Sequence, residues 1–510
     1  MLNAYMTHYC MQKIFYNTAR AAVILLGCIV AAHAQEDMRA GPEGYTQLSC
    51  AIHIASTVSD GKYTLEEIAD IAAAQGIDVL IPADRDTMSW EYGTLPLRNI
   101  IKKSVEERSV FSYGISGYFR RIEALQKAHP GMIIIPGIES APFYYWQGSP
   151  WTDDLTIRDW HKHLLVIGLN KPSDLESLPV LGNPKGLEHG FTSRSIFLFW
   201  PALLVAAGAW CLTRRVYSYT DASGKRLGPY SRGWRLTGVT LIFFGILGLI
   251  NNYPFVYPKF DQYHSGQGIR PYQEFINYAN SRQGLTFWAH PEAANIDRSG
   301  NVGIETQEHS DHLLTAAGYT GFCIFYEGFK KVGVVAGIWD QLLAAYCRGA
   351  RRDPVWAIAG LAYDRRGELT AALEDQRTVV LARSPTAEGV LDALRNGRAY
   401  CMRGKGSASF TLDEFSVVDA SGRSAAMGQE AAVQGPVEIR IRGGLLHGQG
   451  RTFTIQLIRD GGILRVFEAQ SPFDITYVDT LGSAQERSYY RAQITSMGLM
   501  AVTNPIFVKR

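Results

Sequence analysis

The chain has 510 residues, enough for two or three domains with cores of their own. Its 50 Lys and Arg nearly balance 48 Asp and Glu, and the formal net charge of +2 is spread without a basic stripe, so composition gives no support to a nucleic-acid surface. Seven cysteines without a CxxC pair argue against a structural zinc site.

The N-terminus reads as a secretory signal over residues 1–34. Lys13 and Arg20 precede the apolar stretch Ala21–Ala32, and Ala32-His33-Ala34 forms a small-x-small exit before Gln35. Leu25-Leu26-Gly27-Cys28 has the form of a lipoprotein box, but the apolar run continues past Cys28, which argues against lipidation there. An uncleaved anchor and a start at Met6 or Met11 stay open. Export would put Cys50, Cys323, Cys347 and Cys401 in an oxidising space, where pairing is open to them.

Between Gln47 and Asp364, seven short apolar runs carry an acid or a histidine at or near one end. They are TQLSCAIHI with His53, IDVLIPAD with Asp84, GMIIIPGIE with Glu139, HKHLLVIGL with His163, GLTFWAH with His290, TGFCIFYE with Glu327 and VWAIAGLAYD with Asp364. Continuous apolar runs of this length read as strands buried on both faces, as in parallel sheets. In α/β barrels the side chains beyond the strand ends converge on one mouth. The spacing therefore predicts a barrel with a polar site. His163 opens its run where the others close theirs, and His161 competes with it. Thr64-Leu-Glu-Glu67 has the form of a capping box before a helix with Leu65, Ile68, Ala69 and Ala72 on one face, and Gly76 ends it. A further helix is predicted around Pro271–Arg282.

Two longer apolar segments interrupt this alternation, Ile196–Leu212 and Leu236–Ile250. Both fall short of the roughly 20 residues of an ideal membrane span, and buried core helices are the alternative. The loop between them carries Arg214, Arg215, Lys225, Arg226, Arg232 and Arg235 against a single acid, Asp221. Positive charge of this kind stays cytoplasmic, so the segment reads as a membrane hairpin with the main domains on the periplasmic side of the inner membrane. Because strand-like runs resume at Leu285, the hairpin is an insertion whose two ends must lie close together. From about Arg377 the texture changes: a helix runs from Ser384-Pro385 to Gly397, followed by the alternating segments VEIRIRG, RTFTIQLIRD and SYYRAQIT. These predict an antiparallel β-sandwich. The expected organisation is a signal at 1–34, an α/β barrel at 43–376 interrupted by a hairpin at 195–252, and a C-terminal sandwich at 377–510.

The motifs Ala51-IHIASTVSDG-Gly61, Ala83-Asp84-Arg85-Asp86-Thr87, Pro136-Gly-Ile-Glu139, Ala289-His290-Pro291 and Gly360-LAYD-Asp364 together resemble the ordered motifs of the PHP (polymerase and histidinol phosphatase) metal-dependent hydrolases. The segment RTVVLARSPTAEGVLDALRNGRAY resembles the β-domain appended in the carbaryl-hydrolase-like branch. The resemblance implies a distorted (β/α)7 PHP-type barrel with a site for two or three divalent ions, usually zinc, manganese or iron.

The same resemblance shows where the chain departs from the family. The first motif, His-x-His, is His53-Ile54-Ala55; the second, Thr-Asp-His, is Ala83-Asp84-Arg85; the last, Asp-x-His, is Ala362-Tyr363-Asp364. Arginine cannot deprotonate to bind a metal. Glu139, His163 and His290 remain, an adequate set for one zinc-type ion with an open position, and His53 is a fourth candidate. Asp60, Arg85 and Asp364 are the candidates for catalysis, Asp60 or Asp364 as ligand or base and Arg85 as a bidentate clamp on an anion. Each has a plainer alternative. His53 reads equally as a hydrogen-bonded core residue, Asp60 and Asp84 as turn or cap residues, and Arg85 as an ion-pair partner of Asp86 or Asp364. Glu327 reads as a loop anchor, and His309 and His312 as surface residues of a helix. The expected function is a membrane-tethered hydrolase of a small anionic or ester substrate with one divalent ion. A barrel that has lost catalysis and binds an anion or a partner is the alternative.

Overall fold

The computed structural model describes residues 44–510 apart from 192, 218, 447–448 and 481–485, so the expected signal at 1–34 lies outside the described residues. The chain is mixed α/β, and its pairings close a ring of seven strands. These are β1 (Thr46–Ile54), β2 (Val79–Arg85), β3 (Ile133–Ile134 and Gly137–Ser140), β4 (Leu164–Ile167), β5 (Leu285–Trp288), β6 (Gly321–Cys323) and β7 (Trp356–Ile358 and Gly360–Tyr363). Parallel pairs join β1 to β2, β2 to β3, β5 to β6, β6 to β7 and β7 back to β1. The exception is β4, antiparallel to both β3 and β5.

Burial on both faces follows from the side-chain alternation of a strand. Cys50, Ile52, Val79, Ile81, Leu165 and Phe287 share one buried cluster inside the ring. Their neighbours Ala51, Leu80, Leu164, Val166 and Trp288 belong to another, with the covering helices. The first helix, Leu65–Ala74, has the expected capping box, with the Thr64 hydroxyl accepting from Glu67 N and the Glu67 side chain taking Thr64 N. Helix Arg270–Ser281 returns the chain from the insertion to β5.

One end of the ring is plugged. Helix Ala387–Arg395 contributes Val390, Ala393 and Leu394 to the interior cluster, and Trp356 Nε1 donates to Arg395 O at 3.0 Å. Gly168, at φ +84°, makes room for it: a Cβ there would lie 2.9 Å from Leu391 Cδ2. Strand Gln376–Ala382 lies antiparallel along the start of β1, from Thr46 opposite Ala382 to Cys50 opposite Thr378. The barrel sheet therefore passes without a break into the sheet of the C-terminal strands. A second sheet, Ser424–Ala426, Phe410–Asp419, Val437–Leu445 and Phe473–Asp479, faces it across a core that includes Tyr400, Phe415, Phe453 and Tyr490. A buried ion pair ties the two parts together. Arg491 donates through Nε and Nη2 to the two oxygens of Asp340 at 2.8 and 2.6 Å, and the Tyr489 hydroxyl donates to Asp340 at 2.8 Å.

The insertion leaves and rejoins the barrel through a short ladder, Glu188 opposite Tyr257 and His189 opposite Val256. Beyond it, Ser195–Leu212 and Arg232–Asn251 are long and apolar enough to cross a membrane. They are only 22% and 11% buried, where a core helix would be mostly covered. Glycines set their contact: a Cβ on Gly208 or Gly238 would come within 2.7 Å of the other's carbonyl oxygen. Among the described residues the five cysteines, including Cys50, Cys323, Cys347 and Cys401, are free thiols.

Candidate metal centre

At the open end of the ring, three ligand atoms meet. His163 Nδ1 is 2.7 Å from Glu139 Oε1 and 3.0 Å from His290 Nε2, and His290 Nε2 is 3.4 Å from the same carboxylate oxygen. His53 Nε2 approaches that oxygen at 3.2 Å from β1. All four side chains are buried. Imidazole and carboxylate lone pairs at such distances repel unless protons or a cation sit among them. Ligand bonds near 2.1 Å to a tetrahedral ion put donor atoms roughly 3.4 Å apart, as His290 and Glu139 are; the two shorter edges are hydrogen-bond distances that would open by a few tenths of an ångström around an ion. Nδ1 of His53 and Nδ1 of His290 are buried with no hydrogen-bond partner. The donor set thus fits one divalent ion held by Glu139, His163 and His290.

Strand direction explains how these residues come together. Glu139 and His290 arrive at or just past the ends of β3 and β5. Antiparallel β4 brings its beginning to the same mouth, with Leu164 opposite both Ser140 and Trp288, so His163 stands beside the other two. The position of His163 before its strand follows from that reversal. Three non-glycine residues around the mouth have left-handed backbones, His53 at φ +70°, Glu327 at +52° and Ala362 at +50°. Such conformations cost of order 1 kcal/mol or more and gather at functional sites. Ala362 keeps this backbone although its side chain offers no ligand.

The other candidates form a separate arrangement around Arg85. Its Nε donates to Asp60 Oδ2 at 3.1 Å and lies 3.9 Å from Glu139 Oε2, while Nη1 is 3.0 Å from His163 Nε2. Burial opposes the charge, but Glu139, Asp60 and Asp364 outweigh it and the pKa of Arg85 is raised. The ion-pair partner of Arg85 is therefore Asp60, where the sequence suggested Asp86 or Asp364. Burial likewise works to raise Glu139, yet His163, His53 and Arg85 hold its carboxyl well below the ordinary range. Burial lowers His163 to about 3 and His161 to about 4, with Arg85 adding to both. Asp364 turns to its own loop, where it accepts from the backbone of Arg365 and, at 3.1 Å, of Arg366. Asp60 Oδ1 is buried and unpartnered.

His163 faces two exclusive options. When Nε2 accepts from Arg85, Nδ1 carries the proton and donates to Glu139. When Nδ1 is a ligand, Nε2 carries the proton, and Trp160 O at 3.1 Å is its acceptor. The Arg85 contact and metal ligation by His163 therefore compete.

Asp84 is structural. Fully buried, it accepts from Ser56 N at 2.7 Å, from the Ser56 hydroxyl at 2.8 Å and from the Ser59 hydroxyl at 2.7 Å, fixing the loop that carries Asp60. Asp86 accepts from the Ser140 hydroxyl at 2.5 Å, and burial pushes it up to about 7. The expectation of His309 as a helix-surface residue is corrected: it precedes the helix His312–Thr315, is buried against Trp288, and its Nε2 has no partner. Sequence periodicity missed it because the burial comes from a loop folding over β5.

No protein-family model matches the chain, and no curated protein matches it. Among solved structures it is similar to a two-domain protein from Bacteroides vulgatus described as containing a predicted PHP-like metal-dependent phosphoesterase. The identity is 11%, over 89% of this chain and 92% of that one, with a TM-score of 0.35. It is also similar to a protein from Bifidobacterium adolescentis described as a metal-dependent phosphoesterase, at 12% identity over 63% of this chain and 89% of that one, with a TM-score of 0.24. At this distance neither likeness speaks to chemistry; the residues at the mouth of the ring do.

Proposed function

We propose that the protein is a PHP-type metal-dependent hydrolase, of the carbaryl-hydrolase-like branch, acting on a phosphoester or other ester with a reduced metal site. The observation that carries this reading is the convergence of Glu139, His163 and His290 at one mouth of a closed α/β ring. Zinc, manganese or iron held there would supply a water of lowered pKa at neutral pH. The chain's own residues do the rest. Trp160 O is positioned to accept from the protonated Nε2 of His163, which would leave Nδ1 free to face the ion beside Glu139. Arg85 offers an always-charged donor next to the ion's position, suited to a phosphate or carboxylate oxygen. Asp60, joined to Arg85, keeps one free oxygen for a proton. Asp364 adds negative charge near Arg85. In this reading the apolar pair 195–212 and 232–251 anchors the protein in the inner membrane with the barrel on the periplasmic side.

One observation favours a second reading, a barrel without catalysis that binds an anion or a partner: Arg85 Nη1 already occupies His163 Nε2 at 3.0 Å. Metal content separates the two. Elemental mass spectrometry of the protein purified in mild detergent should give about one transition-metal equivalent, lost in a Glu139→Ala/His290→Ala variant. That result justifies a phosphoesterase and esterase screen. No metal in either protein after incubation with zinc or manganese would sink the hydrolase reading.

A further inference from the structure

The insertion springs from the same end of the ring as the metal centre. Before it, Leu181 N donates to Pro142 O, just past β3, and Gly182 packs on Thr87 and Ser89, just past β2. After it, Trp146 N donates to Gln262 O at 2.8 Å, and the Tyr263 hydroxyl takes Gly93 N at 2.6 Å. A β-hairpin of the mouth, Ser89–Gly93 with Lys102–Glu106, reaches towards the foot of the apolar helices. There Asn99 N donates to Asn251 Oδ1 at 2.9 Å, and Asn99 Nδ2 donates to Asn251 O at 2.6 Å.

Between this β-hairpin and the helix ends lies a cavity of about 670 Å³. Leu198, Ile250 and Tyr253 form its helix side, and Trp90, Leu95 and Tyr144 its barrel side. The cavity is distinct from the metal centre: the Tyr144 ring packs on Trp160, centroids 5.3 Å apart, and it is Trp160 O that faces His163. Its rim is mixed in character. Its charged lining residues are Arg98 and Lys102 with Glu91 and Asp261, and the hairpin tip beside it exposes Leu95 and Ile101 by 68% and 55%, next to Lys103. Lys102 is paired with Glu91, but Arg98 rests on the Tyr263 ring with no carboxylate partner among the described residues.

We propose that this cavity binds an anionic membrane phospholipid, headgroup phosphate towards Arg98 and upper acyl chain against Leu95, Leu198 and Ile250. The inference rests on the reading of the apolar pair as a membrane anchor. Three features favour a lipid over a soluble anion. The walls come jointly from the membrane helices and the barrel, the exposed tip pairs apolar with basic side chains, and the apolar lining would be wasted on a bare phosphate.

The full-length protein in a non-ionic detergent is titrated with phosphatidylglycerol, phosphatidylcholine and glycerol phosphate, and retained adducts are read by native mass spectrometry. Phosphatidylglycerol should be retained at least fivefold more than phosphatidylcholine. Arg98→Glu should abolish that preference, and Leu95→Ser/Ile101→Ser should weaken retention of both lipids; all three changed side chains are at the surface or rim, so the variants fold. Equal retention of the two lipids, an unchanged preference in Arg98→Glu, or glycerol phosphate binding as tightly as the lipid would each overturn the proposal. Alkaline carbonate extraction of membranes is run beside it. Release of the chain into the soluble fraction overturns the membrane reading itself, whereas retention with no lipid preference overturns the cavity alone.

Discussion

The mouth of the ring has two halves built on opposite principles. In one, Glu139, His163 and His290 converge with nitrogen and oxygen atoms 2.7–3.4 Å apart and no fixed cation of their own. In the other, Ala55, Ala362 and Asp364 stand around a fixed cation, Arg85, bound to Asp60 and close to Glu139. The difference teaches how buried carboxylates at one mouth can be balanced by a side-chain cation in one half and left open to a bound cation in the other. Buried carboxylates without a counter-charge cost several kcal/mol. A guanidinium in the same place restores the balance with a covalently attached charge.

The sharpest way to break this comparison is Arg85→Met. In metal-free protein it should cost about 3–5 kcal/mol, because Asp60 and Glu139 lose their fixed cation. Added zinc should recover more stability in the variant than in the parent, since nothing then competes for His163. Denaturant titration with and without metal reads both effects, and a variant as stable as the parent without metal would refute the role assigned to Arg85. On the other half, Glu139→Ala should weaken metal binding by more than about 100-fold, measured by competition with a chromophoric chelator. His53→Ala should weaken it by only about tenfold, since His53 touches the carboxylate from the side. Equal losses in the two variants would make His53 a full ligand.

The pH dependence sharpens the comparison further. His163 and His161 are lowered to about 3 and about 4, so below pH 6.5 the unfolded chain takes up protons that the folded chain refuses. Stability therefore falls as pH drops from 6.5 towards 4, by at most about 1.4 kcal/mol per pH unit for each histidine. Asp86, pushed up to about 7, works the other way: it holds a proton that the unfolded chain has lost, so its contribution fades as pH rises from about 4 to 7. Thermal melts of Asp86→Asn against the parent should show a steeper loss on acidification.

Much of this arrangement was legible in the sequence, for identifiable reasons. Strands buried on both faces leave continuous apolar runs, so β1 to β7 stand out, and the Thr64–Glu67 cap marks its helix. His163 was visible as a residue but not as a neighbour, because strand direction leaves no trace in a four-residue apolar run. The burial of His309 depends on a loop folded over Trp288, and the bond of Arg85 to Asp60 on a loop held by Asp84. Neither has a periodic signature. Helix 387–395 reads as amphipathic from its sequence, yet nothing in it says that its apolar face closes the far end of the ring.

That plug has a consequence for the order of assembly. β1 pairs with residues 360–363 and 376–382, and the ring interior is sealed only by residues 390–394. The first strand must therefore wait for partners more than 300 positions later, a separation that makes closure slow. Both apolar helices leave the ribosome before the ring has its last strands. The insertion is thus synthesised whole before the barrel around it can close.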